Sequence, residues 1–169
     1  MHGPQRIICM TEETVETLYL LGEEDRIAGI SGFTVRPARA RKEKPKVSAF
    51  TSAKIPKILE LKPDLVLGFS DLQADIAAEL IKLGIEVYIF NQRTVAEILR
   101  TIRTLGRLVD AAERANQLAD KYEERIAKLK AETSHWNVRP KVYFEEWYNP
   151  IISGIGWVSE LIERAGGID

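Results

Sequence analysis

Four short apolar runs, at residues 6–10, 26–31, 64–68 and 86–90, alternate with stretches that carry helix start and stop signals. Runs of this length suit strands buried on both faces. The helical stretches between them are long enough to cross back over a sheet, so the pattern specifies βαβ units and a mainly parallel sheet. Thr11 is placed to cap the first helix, with Glu12, Glu13 and Glu16 near its positive end. Val15, Leu18 and Leu21 give that helix an inner face, and Gly22 gives it a stop. A loop rich in Pro and Arg follows at 36–45, then an extended piece at 46–47. Phe50-Thr51-Ser52 reads as a turn before a helix starting near Lys54, because Pro56 is comfortable in a first turn. Ser70 with Gln73, and Thr94 with Glu97, read as capping boxes, and Gly84 stops the helix between them.

From 94 to about 136 the chain is one helical run. Ala115, Leu118, Ala119, Tyr122, Ile126 and Leu129 share one face, while Lys121, Glu123, Glu124, Arg125, Lys128 and Lys130 fall mostly opposite. Asp110 with Glu113 reads as a fresh cap, which divides the run into two helices with a joint at 106–109. The second, over 110–134, would extend about 37 Å at a rise of about 1.5 Å per residue. A strand is expected at 141–145 and a helix at 156–165, closed by Gly166-Gly167.

The fold class read from this order is α/β: a Rossmann-like parallel-sheet lobe at 1–93, a helical connector at 94–136, and the first strand and helix of an incomplete second lobe at 137–169. One strand and one helix bury too little surface to stand alone. The last segment is therefore expected to be the start of a longer chain or to be covered by a partner, and a homo-oligomer that completes the lobe stays open.

Several classes of chemistry lack their residues. A net charge of −1 gives no electrostatic handle for nucleic acid or a membrane surface. The single cysteine, Cys9, lies in an apolar run and reads as a buried small hydrophobe. His2 and His135 make neither a metal pair nor part of a Ser/His/Asp set. After the first strand, Glu12-Glu13 stand where a glycine-rich phosphate loop would need positive potential. Glu145 and Glu146 are adjacent on the expected strand and so point to opposite faces. The chain reads as a non-enzyme with no catalytic residues, no metal site and no intrinsic cofactor. No stretch approaches the roughly 18 apolar residues of a membrane span. No secretory h-region follows Met1, so the expected location is cytoplasmic as written, or periplasmic or extracellular where a leader has been removed.

What remains is a set of aromatic and polar residues just after strands, where open α/β sheets bind ligands. These are Phe33 and Thr34, Phe50 and Thr51, then Phe69, Ser70 and Asp71. Past the connector, Glu146, Trp147 and Tyr148, and then Ser153 to Trp157, are candidates for a facing wall. Any one phenylalanine is equally well a loop anchor, but three recurring at strand ends favour a pocket. Arg36, Arg39, Arg41, Lys42, Lys44 and Lys46 form a basic run. It reads either as a solvated loop or, through Arg36, as a contact for an anionic ligand arm.

Arg6-Ile7-Ile8-Cys9-Met10 with Glu16-Thr17-Leu18, Ile27-Ala28-Gly29-Ile30-Ser31, the run from Ile58 through Leu61-Lys62-Pro63-Asp64-Leu65-Val66 to Leu67, and Leu83-Gly84-Ile85-Glu86-Val87 resemble the N-terminal lobe of class III periplasmic binding proteins. These are the cobalamin, haem and iron–siderophore receptors of ABC importers, with two Rossmann-like lobes bridged by one long helix. The resemblance covers nearly the whole chain and comes nearest to cobalamin-binding members. There Phe33 falls where an aromatic faces the corrin, Phe50 at a pocket tryptophan, and Phe69 at another aromatic; Val47-Ser48-Ala49-Phe50 and Ser153-Gly154 also fit. It implies a substrate-binding component that holds cobalamin or a ferric chelate, as transported ligand, in a cleft between lobes with little domain closure. Aromatic faces would supply apolar area, and Thr34, Arg36, Ser70 and Asp71 would orient the ligand. An ABC permease is the implied partner, although the position where such receptors carry an acid for docking on permease arginines is Pro56-Lys57 here. A cytoplasmic corrinoid-handling or sensing module, not coupled to a transporter, stays open.

Overall fold

The structure, a computed structural model, describes residues 3–169; His2 lies outside the described residues. Two compact units divide the chain, one from residues up to Asn91 together with Arg103–Ala115, the other from Gln92–Ile102 together with Asn116–Asp169. Residues of the helical run at 94–136 fall in both units.

In the first unit, β1 (Ile7–Cys9), β2 (Ile27–Ser31), β3 (Lys46–Ser48), β4 (Leu65–Phe69) and β5 (Val87–Phe90) form one sheet in the order β3-β2-β1-β4-β5. Every neighbouring pair is parallel, as the alternation of apolar runs and helices specified. The inner strands are apolar on both faces, since Ile7, Ile8, Cys9, Ile30, Val66 and Leu67 are all fully buried. The edge strand β3 carries the exposed Lys46, whose charge blunts it against pairing with another chain, and the edge strand β5 carries the exposed Tyr88. Burial pushes the Cys9 thiol up to about 12, so this cysteine packs as a hydrophobe.

The crossovers are α1 (Glu12–Leu20), α2 (Ala40–Glu43), α3 (Ile55–Glu60) and α4 (Ala74–Lys82). Val15, Leu18 and Leu21 are buried as α1 required, and Gly22 ends it with φ of +68°. Met10, Val47, Ile58, Val66 and Leu80 pack with Ile8 into the core cluster. The Pro/Arg stretch is not all loop, since it contains the helical turn α2.

The long helical run is two helices, α5 (Val95–Leu108) and α6 (Ala112–Thr133), but its joint is 109–111 rather than 106–109. Gly106 lies inside α5, where it allows the start of α6 to pack against it. α6 begins at Ala112, two residues after Asp110, which with φ of +59° stands outside the helix and accepts from the Gly3 amide at 2.6 Å. Local cap spacing suggested the box, but the turn between the helices needs a left-handed residue there, and Asp tolerates one better than most. α6 is unbroken over 22 residues. Along its apolar stripe Ala115 and Ala119 are buried, Leu118, Tyr122 and Ile126 half-buried, and Leu129 exposed.

In the second unit the strand expected at 141–145 is displaced. Lys141 makes an isolated parallel bridge to Ile168, and pairing begins in β6 (Glu145–Tyr148), which folds back antiparallel on β7 (Ile151–Ser153). The chain reverses at Asn149-Pro150, a turn-forming dipeptide. α7 (Gly156–Arg164) follows and closes at Gly166 with φ of +87°. Thr94 and Glu97 make the expected reciprocal cap of α5: the Glu97 amide donates to Thr94 Oγ1 at 3.2 Å and the Thr94 amide to Glu97 Oε2 at 3.1 Å.

Candidate functional site

Because all five strands are parallel, their carboxyl ends lie along a single edge of the sheet, and the residues following them share that edge. Strand order reverses direction at β1, with β2 and β3 to one side and β4 and β5 to the other. Such a switch point is where α/β sheets open a crevice for ligands. The edge brings together Phe33 after β2, Phe50 and Thr51 after β3, and Phe69, Ser70 and Asp71 at the end of β4. Phe33 is 65% exposed, Phe50 37%, and Phe69 half-buried, so three rings stand at this edge with open surface.

The polar candidates separate by burial. Thr51 and Asp71 are exposed. Thr34 is fully buried beneath the edge, and its carbonyl accepts from Arg41 Nη1 at 2.7 Å. Neither its hydroxyl nor that of Ser48 has a protein hydrogen-bond partner among the described residues. Ser70 is also buried, with its side chain accepting from the Leu72 amide at 3.3 Å and its amide donating to the Phe90 carbonyl at 2.8 Å. Its backbone, at φ +61° and ψ 177°, occupies a region that glycine alone visits readily. Thr34 and Ser70 therefore shape the edge, while Thr51 and Asp71 present polar groups on it.

The three arginines of the basic run are tied down within the chain. Arg36 Nη2 lies 3.1 Å from Glu16 and its Nε 3.5 Å from Glu12. Arg36 is 69% exposed, so these pairs contribute little to stability, yet they partly neutralise the charge that an anionic ligand would seek. Arg39 pairs with Glu24 at 2.7 Å and lies over the Tyr19 ring. Burial, and the hydrogen bond that Tyr19 donates to Glu43 at 2.7 Å, hold this phenol above its usual range. Arg41 Nη1 reaches the Gly32 carbonyl at 2.6 Å as well as that of Thr34, fastening the turn that carries Phe33.

Gln73 differs from its expected role at this edge. Gln73 does not close a capping box with Ser70, whose amide is already given to Phe90. Instead its fully buried side chain accepts from the Phe69 amide at 3.0 Å and donates to the Phe50 carbonyl at 2.8 Å. The available signal was Gly68. A Cβ there would come within 2.6 Å of Gln73 Oε1, so the strand leaves room for this amide.

Glu146, Trp147 and Trp157 belong to the second unit. Glu146 and Trp147 lie on β6 and are exposed, and Trp157 is half-buried in the first turn of α7. Trp147 stacks on Tyr148 at a centroid distance of 5.5 Å and donates its Nε1–H to the Asn149 carbonyl at 3.0 Å. Among the described residues, no group of three or more His, Cys, Asp or Glu side chains is arranged to hold a metal ion.

The sequence profile described as periplasmic binding protein matches residues 7–169. A vitamin B12-binding protein of Vibrio parahaemolyticus is 29% identical over 170 residues, covering 96% of this chain and 60% of that protein. A cobalamin-binding protein of Halobacterium salinarum is 24% identical, over 97% of this chain and 45% of that protein. Among solved structures, the periplasmic vitamin B12 binding protein BtuF of Vibrio cholerae superposes with a TM-score of 0.81 at 25% identity, covering 98% of this chain and 66% of that one. The periplasmic heme-binding protein RhuT of a Roseiflexus species shares the fold, with a TM-score of 0.84 at 21% identity over 99% of this chain and 66% of that one. The chain spans about 60% of the length of the Vibrio vitamin B12-binding relative.

Proposed function

This chain belongs to the periplasmic binding protein family, and from that premise we propose that it is a substrate-binding component of an ABC-type importer for cobalamin or an iron–siderophore-like chelate. The observation that carries the reading is the row of Phe33, Phe50 and Phe69 at one sheet edge, two of them exposed. A corrin or a wrapped ferric chelate is broad and largely apolar on its faces, and rigid aromatic rings offer it large contact area at low entropy cost. Asp71 and Thr51 orient the ligand by hydrogen bonds to its polar periphery. Arg36 attracts a carboxylate or phosphate arm, in competition with Glu12 and Glu16. Glu146, Trp147 and Trp157 are the proposed ligand-binding residues of the second unit.

In this reading the protein binds and releases its ligand without changing it, so it is not an enzyme, and the corrinoid or chelate is cargo rather than cofactor. The printed name of the Vibrio cholerae relative, a periplasmic protein, supports a location outside the cytoplasmic membrane, and an ABC permease is the proposed partner. In the second unit Val138, Tyr148 and Ile151 are 80%, 73% and 70% exposed. So much open apolar surface favours coverage by further protein, a second copy included.

The test is a parallel titration with hydroxocobalamin and with a ferric hydroxamate chelate, followed by the visible spectrum and by tryptophan fluorescence. Saturable binding of either at micromolar concentration is expected. If neither ligand perturbs the protein or its melting temperature at a large excess, the reading fails. Light scattering checks the coverage: self-association is expected, and a stable monomer would exclude the second copy.

A further inference from the structure

Gln73 joins two loops that the sheet itself keeps apart. β3 and β4 are separated by β2 and β1, which puts their axes roughly 14 Å apart at about 4.8 Å per strand. Yet one glutamine side chain reaches from the Phe69 amide, at 3.0 Å, to the Phe50 carbonyl, at 2.8 Å. The loop after β3 therefore leans across the ends of the two intervening strands, and Gln73 receives it on the far side.

Each of the two backbone groups has a reason to need this partner. Along β4 the amides of Val66 and Ser70 donate to Glu86 and Phe90, on the β5 side. Strand alternation turns the Phe69 amide the other way, toward β1. There β1 has already ended, since its last pair is Cys9 with Leu67. On the other loop, the Ala49 amide donates to the Ser52 carbonyl at 2.7 Å and Ser48 bridges to Ala53. That closes the turn on itself but leaves the Phe50 carbonyl pointing away from it, at Gln73. Gly68 keeps the approach open, because a Cβ there would meet Gln73 Oε1.

We propose that Gln73 is a positioning residue that couples the Phe50 and Phe69 loops, so that the two rings meet ligand as one pre-set surface. This rests on the reading of the edge as the ligand site. A residue that orders two loops before binding removes part of the ordering cost that binding would otherwise carry.

Two variants separate its two bonds. Gln73→Glu keeps an acceptor for the Phe69 amide but turns a carboxylate oxygen toward the Phe50 carbonyl. Gln73→Met keeps the volume, introduces no charge and removes both bonds. In the ligand-free protein, amide relaxation is expected to show residues 49–52 loosened in both variants. Hydrogen exchange at Phe69 is expected to stay slow in Gln73→Glu and to quicken in Gln73→Met, with the β1 amides unchanged in both. A merely structural role would quicken the β1 amides as well, and that result, or unchanged relaxation of 49–52 in Gln73→Met, overturns the proposal. Hydroxocobalamin affinity is expected to fall roughly tenfold in both variants, as loss of pre-ordering requires. If the unsubstituted protein binds no corrinoid, the functional reading fails, while the relaxation and exchange data still decide the coupling.

Discussion

Gly106 and Ala115 stand so close, across the turn from α5 to α6, that a Cβ added to the glycine would overlap the alanine methyl. The same added atom would lie 3.1 Å from the Ala111 carbonyl. Nothing at this point is a flexible side chain that can swing aside, so the backbone would have to move. Gly106→Ala is therefore expected to destabilise the protein by about 1–3 kcal/mol, although alanine is the better helix former. Ala115→Gly should cost about 1 kcal/mol through helix propensity alone. Thermal or urea unfolding of the two variants gives the comparison; equal stability of Gly106→Ala and the parent would refute the close approach.

The cap of α5 predicts a pH dependence. Glu97 accepts from the Arg93 amide at 2.7 Å and from the Thr94 amide, and these bonds hold its carboxyl below the usual range. A group lowered in the folded state adds stability above its unfolded pKa, about 4.3 for glutamate, and loses it as pH falls through the folded value. Glu97→Gln should thus be less stable than the parent at neutral pH, with the gap closing on acidification below about pH 4. Thr94→Ala should cost about 1 kcal/mol, with little change in that cost over the same range. Urea midpoints at several pH values test both.

Ser70 holds a backbone conformation that disfavours any side chain, and its Oγ accepts a hydrogen bond from the Leu72 amide. Ser70→Gly relieves the strain and loses that bond, so it should leave stability within about 1 kcal/mol of the parent. Ser70→Ala loses the bond and keeps the strain, and should be the less stable of the two. If alanine is tolerated better than glycine in chemical unfolding, the positive φ at Ser70 is not a source of strain.

Phe33 is mostly exposed, so Phe33→Ala should change stability by no more than about 0.5 kcal/mol. As part of the ligand surface it should nevertheless matter, and a fall in hydroxocobalamin affinity of about tenfold is expected. Unchanged affinity in a variant of unchanged stability would remove Phe33 from the site. Leu20 on α1 is also exposed and lies away from this edge, so Leu20→Ala serves as the control.

Much of this fold was written in local patterns. Apolar runs gave four strands, because a strand buried on both faces needs a continuous apolar sequence and a helix does not. Thr94 with Glu97, and the glycines after α1, α4 and α7, marked helix ends because caps act within one turn. The position of Phe33, Phe50 and Phe69 at strand ends was equally legible, and parallel pairing then put them on one edge. The hairpin of β6 and β7 was not, since the exposed residues of Glu145–Tyr148 show no single buried face to set a period.

The amino-acid sequence by itself determined the order of elements, the apolar faces and which residues follow which strands, since all of these depend on neighbours a few positions away. Tertiary structure alone decided that Gln73 serves Phe50, 23 residues back, instead of Ser70 beside it. It also turned Asp110 into a partner for Gly3, 107 residues distant. The physical reason is the same in both cases. A polar side chain goes to whichever backbone group the packed chain leaves without a strand or helix partner, and that group is known only once the strands have been laid side by side.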